Sequence, residues 1–403
     1  MISREPTASA LPSASRLTGS PPVVFDTRVV TGSGGGPDKT ILNSPRFLEP
    51  LGYRMVCGYL HPPGDPGYAD IEAKAKKYSA PLVSIPDRGP TDVSVVKALL
   101  KVCREQHVRI WHGHDYKTNA LGLALRPFHR MKLVTTVHGW VHHTARTPLY
   151  YKIDRFCLKR YERVYCVSPD LVEACRAAGV MERKLMLLEN GIDTAEYSRR
   201  SGVSEAKAEL HLPADQLHVG AVGRLEPEKA FDLLIRAVHQ LNAGGVGCRL
   251  TVVGEGHDRP RLEALVTELG LDDRVSLPGW QSDVRRWFEA MDVFALSSRR
   301  EGLPNVLLEA MALGVPCVAT NIAGIPRLIE DRVSGRLIPP DDLPALVGAL
   351  DDLLTSQTAR VKYQTAGRST IEARYSFAAR MQALKREYDD LLNRRPEGNA
   401  ARP

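Results

Sequence analysis

Two carboxylates, Glu301 and Glu309, bracket a helix start in the run Glu301-Gly302-Leu303-Pro304-Asn305-Val306-Leu307-Leu308-Glu309. Pro304 suits the first helical position, Gly302 lets the backbone approach a ligand, and the free amides near Asn305 attract anions such as a diphosphate. Glu309 is the only charge between Asn305 and Asn321, so its helix face is expected to be buried, and a buried carboxylate requires partners. Helical side chains lean toward the N-terminus, so Glu309 can reach back to a ligand there, where paired ribose hydroxyls would satisfy both oxygens. A structural carboxylate bonded to backbone amides fits the same spacing equally well.

A second loop, Gly223-Arg224-Leu225-Glu226-Pro227-Glu228-Lys229, carries two cations five residues apart. Arg grips phosphate oxygens in a fork and Lys supplies a mobile point charge, which together can neutralise a departing diphosphate. Taken alone, the loop reads better as a solvated surface run. A third loop holds Gly34, Gly35 and Gly36 within residues 32–40. It fails the Walker pattern because Asp38 stands where Gly must precede Lys-Thr, and it fails the dinucleotide fingerprint at Pro37. A surface turn and direct ligand contact explain it equally.

Each of these loops follows an apolar run and opens a helical pattern. Probable strands at 23–25 and 29–30, 53–56, 108–111, 132–137 and 163–167 alternate with helices at 39–48, 92–105 and 118–124. A turn-rich segment at 187–200 suits a connection, and a second series follows. Its strands are expected at 217–222, 249–253, 275–277, 293–296 and 316–319, and its helices at 231–241, 259–269, 284–290, 305–313 and 343–353. The alternation predicts an α/β chain of two doubly wound, Rossmann-like parallel-sheet domains facing a central cleft. Loops after the strands should carry the chemistry.

Read together, Gly223-Arg224-Leu225 with Glu228-Lys229, Gly254-Glu255-Gly256, Pro278-Gly279 and the Glu301-to-Glu309 run continuing into Ala310-Met311-Ala312-Leu313-Gly314-Val315-Pro316 resemble the retaining glycosyltransferases of family four. The N-terminal half resembles the family more loosely, through Gly34-Gly35-Gly36, Thr136-Val137-His138-Gly139 and Val167-Ser168-Pro169. The resemblance implies the GT-B architecture. Its acceptor-binding domain would span residues 21–195 and its nucleotide-sugar domain 196–375, with a helix at 376–393 packing back on the first domain. By the family's pattern Arg224 and Lys229 hold the diphosphate beside Gly302 and Asn305, Glu309 binds the ribose, and Glu301 bonds hydroxyls of the transferred sugar. His138 would face that sugar near the reacting carbon, which gives His138 and Glu301 the catalytic roles, and the Gly34–Gly36 loop would lie on the acceptor side. Ala230, where the family often has Gly, asks only that its backbone avoid left-handed angles.

The chain has 403 residues, a formal charge of +7 and an ordinary globular composition, which favours two cores and anionic ligands. Seven scattered cysteines without a C-x-x-C pair fit a reducing, cytoplasmic compartment. No apolar run is long enough to span a bilayer, while the basic charge suits peripheral contact with an anionic inner membrane face. Residues 1–20 lack a secretory apolar stretch and read as a disordered tail, and residues 394–403 read as a polar tail.

No Asp-x-Asp pair is present to hold a metal on a diphosphate. Neither cysteine nor carboxylate lies at ligand spacing from His112, His114, His138, His142 and His143, so no metal cofactor is expected. The rings of His112 and His114 should point the same way, with one of them lining the acceptor cleft beside Asp115 and Lys117.

The resulting expectation is metal-independent, retaining transfer of a sugar from a nucleotide-sugar, UDP-linked before GDP-linked, to a glycan or lipid-linked acceptor in cell-surface polysaccharide or glycolipid synthesis. The rivals are a nucleotide-sugar epimerase of the same shape, a non-catalytic nucleotide-sugar sensor and a basic nucleic-acid-binding protein. The last lacks aromatic interleaving among its cations, so no nucleic-acid partner is expected.

Overall fold

The computed structural model describes residues 20–89, 92–139 and 147–393. The two expected tails (save Ser20), His142 and His143 lie outside these residues. The first sheet is built from β1 (Val23–Val29), β2 (Arg54–His61), β3 (Leu82–Pro86), β4 (Val108–Gly113), β5 (Lys132–Val137), β6 (Arg163–Cys166) and β7 (Leu185–Leu187). The second contains β8 (Leu217–Val222), β9 (Cys248–Val253), β10 (Val275–Gly279), β11 (Val293–Leu296), β12 (Cys317–Thr320) and β13 (Arg336–Ile338).

Every pairing between these strands is parallel, in the orders β3-β2-β1-β4-β5-β6-β7 and β10-β9-β8-β11-β12-β13. Both faces of each sheet are covered, so the central strands are near-continuous apolar runs such as Val293–Leu296, buried at all four positions. The strand order reverses between β1 and β4 in one sheet and between β8 and β11 in the other. These two switch points are where a doubly wound sheet opens a crevice beyond its strand ends.

The strands expected at 132–137, 217–222 and 293–296 are present with those bounds. Residues 23–25 and 29 instead belong to one strand, with Val30 just past its end, because Asp26 and Thr27 are buried and stay in register with β2 and β4. The helix expected from residue 39 starts at Gly36, after Gly32 and Gly34 turn the chain at positive φ of 63° and 73°. Pro304 caps the helix Asn305–Ala312 from an extended conformation rather than occupying its first turn. Ala230 does not avoid the left-handed region: its φ is 51° and ψ 39°, where it joins the turn Pro227–Lys229 to the helix Phe231–Ala243. A non-glycine residue there carries roughly 1–2 kcal/mol of strain.

The helix Phe377–Asn393 returns from the second sheet to the first. Phe377, Met381, Leu384, Tyr388 and Leu391 repeat at helical spacing and pack, each at most 3% exposed, against Val24, Met55, Ile110 and Tyr165. Arg163 fastens the same helix by pairing with Glu387 at 2.6 Å and Asp390 at 2.8 Å. Where the chain crosses between sheets it does so twice side by side. Ile192 donates to Tyr375 O at 2.8 Å and Phe377 donates back to Ile192 O at 2.7 Å.

Within this packing the Tyr388 hydroxyl lies 2.8 Å from His112 Nδ1, and both residues are buried. Tyr388→Phe keeps the apolar contact but leaves that nitrogen without its partner. It is expected to cost about 1–3 kcal/mol, read as a lower urea midpoint at unchanged m-value.

Candidate active site

The two switch points face each other across the space between the sheets. On the second sheet, β8 ends in the loop carrying Arg224 and Lys229, and β11 ends in the loop carrying Glu301. The neighbouring loop after β9 supports the first of these: Leu225 N donates to Glu255 O at 2.9 Å, and a Cβ on Gly254 would come within 1.9 Å of Gly223 O. Only glycine, at φ 147°, allows that approach.

Lys229 Nζ donates to Glu301 Oε1 at 2.7 Å, and the same oxygen accepts from Ser298 Oγ at 2.7 Å. The residue expected at the diphosphate and the residue expected at the sugar hydroxyls therefore meet in one ion pair. Arg224 is exposed, 72% at its side chain, and makes one long contact of 3.4 Å with Glu228. Its guanidinium is thus available to an anion. Gly302 and Asn305 are exposed at the start of the helix Asn305–Ala312, and the space a Cβ would take at Gly302 is empty for 4 Å.

Glu309 sits one turn into that helix, its side chain 13% exposed. Its partners are not backbone amides: the Tyr197 hydroxyl donates to Oε1 at 3.0 Å, and Lys39 Nζ lies 3.6 Å away. Burial pushes the Glu309 carboxyl above its ordinary range, with Lys39 and Tyr197 pulling it partly back. Lys39 belongs to the helix Gly36–Leu48 of the first sheet, so this contact closes across the crevice. The crevice wall includes Lys39, Asn43, Asn190, Asn305 and Glu309. Arg46 with Asp193 and Lys77 with Glu196, at 2.8 Å, also link the first sheet's helices to the connecting segment.

On the first sheet, Gly34 and Gly35 are exposed at the mouth of β1. Asp38, which breaks the Walker pattern, anchors their loop. It accepts from Gly35 N at 2.5 Å and Tyr59 Oη at 3.0 Å and pairs with Arg28 at 2.7 Å.

His138 ends β5 and lies against His114, with Nε2 2.8 Å from His114 Nδ1. His112 and His114 do point the same way, their rings stacked at 4.6 Å. Neither reaches open cleft: both are buried, and His112 Nε2 meets Thr136 Oγ1 at 2.8 Å. Asp115 caps the following helix and accepts from Val29 N, while Lys117 pairs with Asp87 at 2.5 Å.

A carboxylate does join the histidines. Asp26 on β1 lies within reach of His112 and His114, one ligand atom of each falling inside 4.8 Å. Asp26 Oδ1 and His114 Nε2 are 2.5 Å apart, closer than two ligands of one ion normally stand, and both of the other ring's nitrogens have protein partners. His112 is satisfied by Tyr388 and Thr136, while among the described residues Asp26 Oδ1 and His114 Nε2 have only their contact with each other. Sequence spacing missed Asp26 because 86 residues separate it from His112, and only the β1–β4 pairing Asp26↔His112 joins them.

Family models match both halves, "Glycosyltransferase Family 4" over residues 34–196 and "Glycosyl transferases group 1" over residues 216–356. The chain belongs to glycosyltransferase family four. Among its relatives, the lipopolysaccharide core biosynthesis glycosyltransferase LpsE of Rhizobium meliloti is 30% identical over 58% of this chain and 64% of that protein. The UDP-Gal:alpha-D-GlcNAc-diphosphoundecaprenol alpha-1,3-galactosyltransferase of Escherichia coli is 27% identical over 75% of this chain and 80% of that one. Anabaena Alr3699/HepE, solved in complex with UDP, superposes with a TM-score of 0.75 at 20% identity, covering 92% of this chain and 100% of that one. This family fold is the GT-B arrangement, two parallel-sheet domains with the described crevice between them. No described helix is long and apolar enough to cross a membrane.

Proposed function

We propose that this family-four chain transfers a sugar from a nucleotide-sugar, with retention at the anomeric carbon and without a metal, to a glycan or lipid-linked acceptor in polysaccharide or lipopolysaccharide synthesis. The observation that carries the reading is the Lys229–Glu301 pair, which joins the loop that also bears exposed Arg224 to the loop that leads into the helix terminus at Asn305. A diphosphate entering there takes Lys229 and Arg224 as counter-charges, and the released Glu301 carboxylate turns to the sugar hydroxyls.

Glu309 and Tyr197 then meet the ribose. His138 faces the sugar from the first sheet, and the acceptor approaches over the Gly34–Gly36 loop. With Glu301 occupied at the hydroxyls, the reading favours attack by the acceptor on the face the diphosphate leaves, through an oxocarbenium-like transition state. UDP-sugars are favoured as donors, because the galactosyltransferase relative is named for UDP-Gal and HepE was solved with UDP. GDP-sugars come next. The lipid-linked acceptor named for the same relative makes the inner membrane face the expected workplace.

The test is a thermal-shift screen against UDP, GDP, ADP and their sugar conjugates in EDTA. One nucleotide is expected to raise the midpoint of the natural chain, with the rise lost in Arg224→Ala. Stabilisation by none of them, or only after a divalent metal is restored, would count against the reading.

A further inference from the structure

His138 is backed by two further buried titratable groups in series. His138 Nε2 lies 2.8 Å from His114 Nδ1, and His114 Nε2 lies 2.5 Å from Asp26 Oδ1. Among the described residues, Asp26 Oδ1 and His114 Nε2 form no aligned hydrogen bond with any atom, so each is the nearest polar partner that the other can turn to. Of the four ring nitrogens of His114 and His138, three therefore face a neighbour within the series, and a proton placed at one end dictates where the next must sit.

The geometry points to Asp26 and His114 as positioning residues that fix the tautomer of His138: an ionised Asp26 keeps the His114 proton on Nε2, His114 Nδ1 accepts from His138 Nε2–H, and His138 is left with Nδ1 as a bare acceptor. Nothing in the family models or the relatives' names assigns this to either residue. It rests on the proposed function for its consequence, since the bare nitrogen would accept from a sugar hydroxyl, but its geometry stands without that reading.

The surroundings support the order of protons. Burial holds both His114 and His138 well below their ordinary range, so neutral tautomers are what remain to be ordered. Burial raises the Asp26 carboxyl to about 6, against the opposing pull of His112, Arg380 and Arg28. The groups facing Asp26 are Arg28 on its own strand, Cys57 on β2, His112 on β4 and His114 just past its end, and Arg380 and Tyr388 on the helix Phe377–Asn393. Below about pH 6 a protonated Asp26 would donate to His114 Nε2. Both histidines would then reverse, and His138 would present Nδ1–H instead of a lone pair.

Asp26→Asn makes that reversal permanent, because an amide NH2 can donate where the carboxylate only accepts. The measurement is histidine side-chain 15N NMR of the full chain at pH 7.5, without ligand, with the His138 signals assigned by their loss in His138→Gln. Protonation on Nε2 is expected in the natural chain and on Nδ1 in Asp26→Asn. His114→Phe, which fills the same place between the neighbouring rings without a nitrogen, is expected to leave His138 a mixture and covers the case in which Asp26→Asn does not fold. Nδ1–H in the natural chain, or one tautomer throughout, would overturn the proposal.

Kinetics form the second arm. Asp26→Asn is expected to lower kcat at least about tenfold, within the usual range for a lost acid–base alignment, at unchanged nucleotide affinity. The natural chain's kcat should fall below about pH 6, and the variant should lack that limb. Equal kcat and equal pH profiles in the two proteins would also defeat the proposal. Absence of turnover in the natural chain would defeat the proposed function instead, leaving the NMR result to judge the relay.

Discussion

Glu301→Gln is expected to cut kcat for sugar transfer by about 10²–10³-fold, the usual scale for removing one charged contact made in the transition state, while the affinity for free nucleotide stays within a few-fold. The carboxylate is expected to change its main partner between the two states, while Ser298 Oγ also donates to it in the free protein. Before donor binding it neutralises Lys229 at 2.7 Å with its side chain only 9% exposed, which keeps a largely buried ammonium from standing unpaired. Once a diphosphate takes over Lys229, the carboxylate is free for the sugar. Glutamine keeps the shape and loses the charge, so Lys229 loses its counter-ion in the free protein and the sugar loses an acceptor in the complex. Isothermal titration with the nucleotide, beside initial rates with the nucleotide-sugar, separates the two effects. A Glu301→Gln enzyme with natural kcat would remove Glu301 from the chemistry.

Glu309→Gln is expected to move stability and affinity in opposite directions. Burial raises this carboxyl in the folded chain, and the sign follows from that. The unfolded state gives up its proton at a lower pH than the folded state does, so stability is fully present below the unfolded value and falls as pH rises through the folded one. At pH 7.5 the natural chain therefore carries a desolvation cost that an amide avoids, and the variant without ligand should melt higher.

Its affinity for nucleotide should drop about 10–100-fold, the equivalent of the roughly 1.5–3 kcal/mol carried by hydrogen bonds to a charged group. The contact with Lys39 at 3.6 Å returns too little to reverse the order, because it is long and the lysine is half exposed. Melting curves at pH 5 and 7.5 check the sign: the gain in the variant should shrink at the lower pH. A variant that melts lower than the natural chain at pH 7.5 would mean that Lys39 and Tyr197 outweigh burial.

The second half of the chain was legible because its determinants are local. The strand at 293–296, the loop after it and the helix at Asn305 lie within some twenty residues, so apolar runs, Gly302 and Pro304 report on one another directly. The same local logic failed at Ala230. A missing glycine was read as a missing left-handed angle, yet the turn Pro227–Lys229 forces φ 51° regardless of the side chain that stands there. It also stopped short at β1, where polar Asp26 and Thr27 interrupt the apolar pattern of a strand that tertiary contacts bury.

The sequence by itself determined two alternating α/β series, the loops bearing Arg224, Lys229, Glu301 and Glu309, and the family to which those loops belong. What only the tertiary structure decided is which of these charges face one another. Lys229 finds Glu301 over 72 residues, Glu309 finds Tyr197 over 112 and Lys39 from the other sheet, and Asp26 finds His114 through the neighbouring strand. Hydrophobic periodicity specifies which face of an element is buried but says nothing about which buried polar atom meets which. Those pairings are set by strand order and by the closure of two domains on each other, where desolvation makes each polar atom take whatever partner the fold brings within reach.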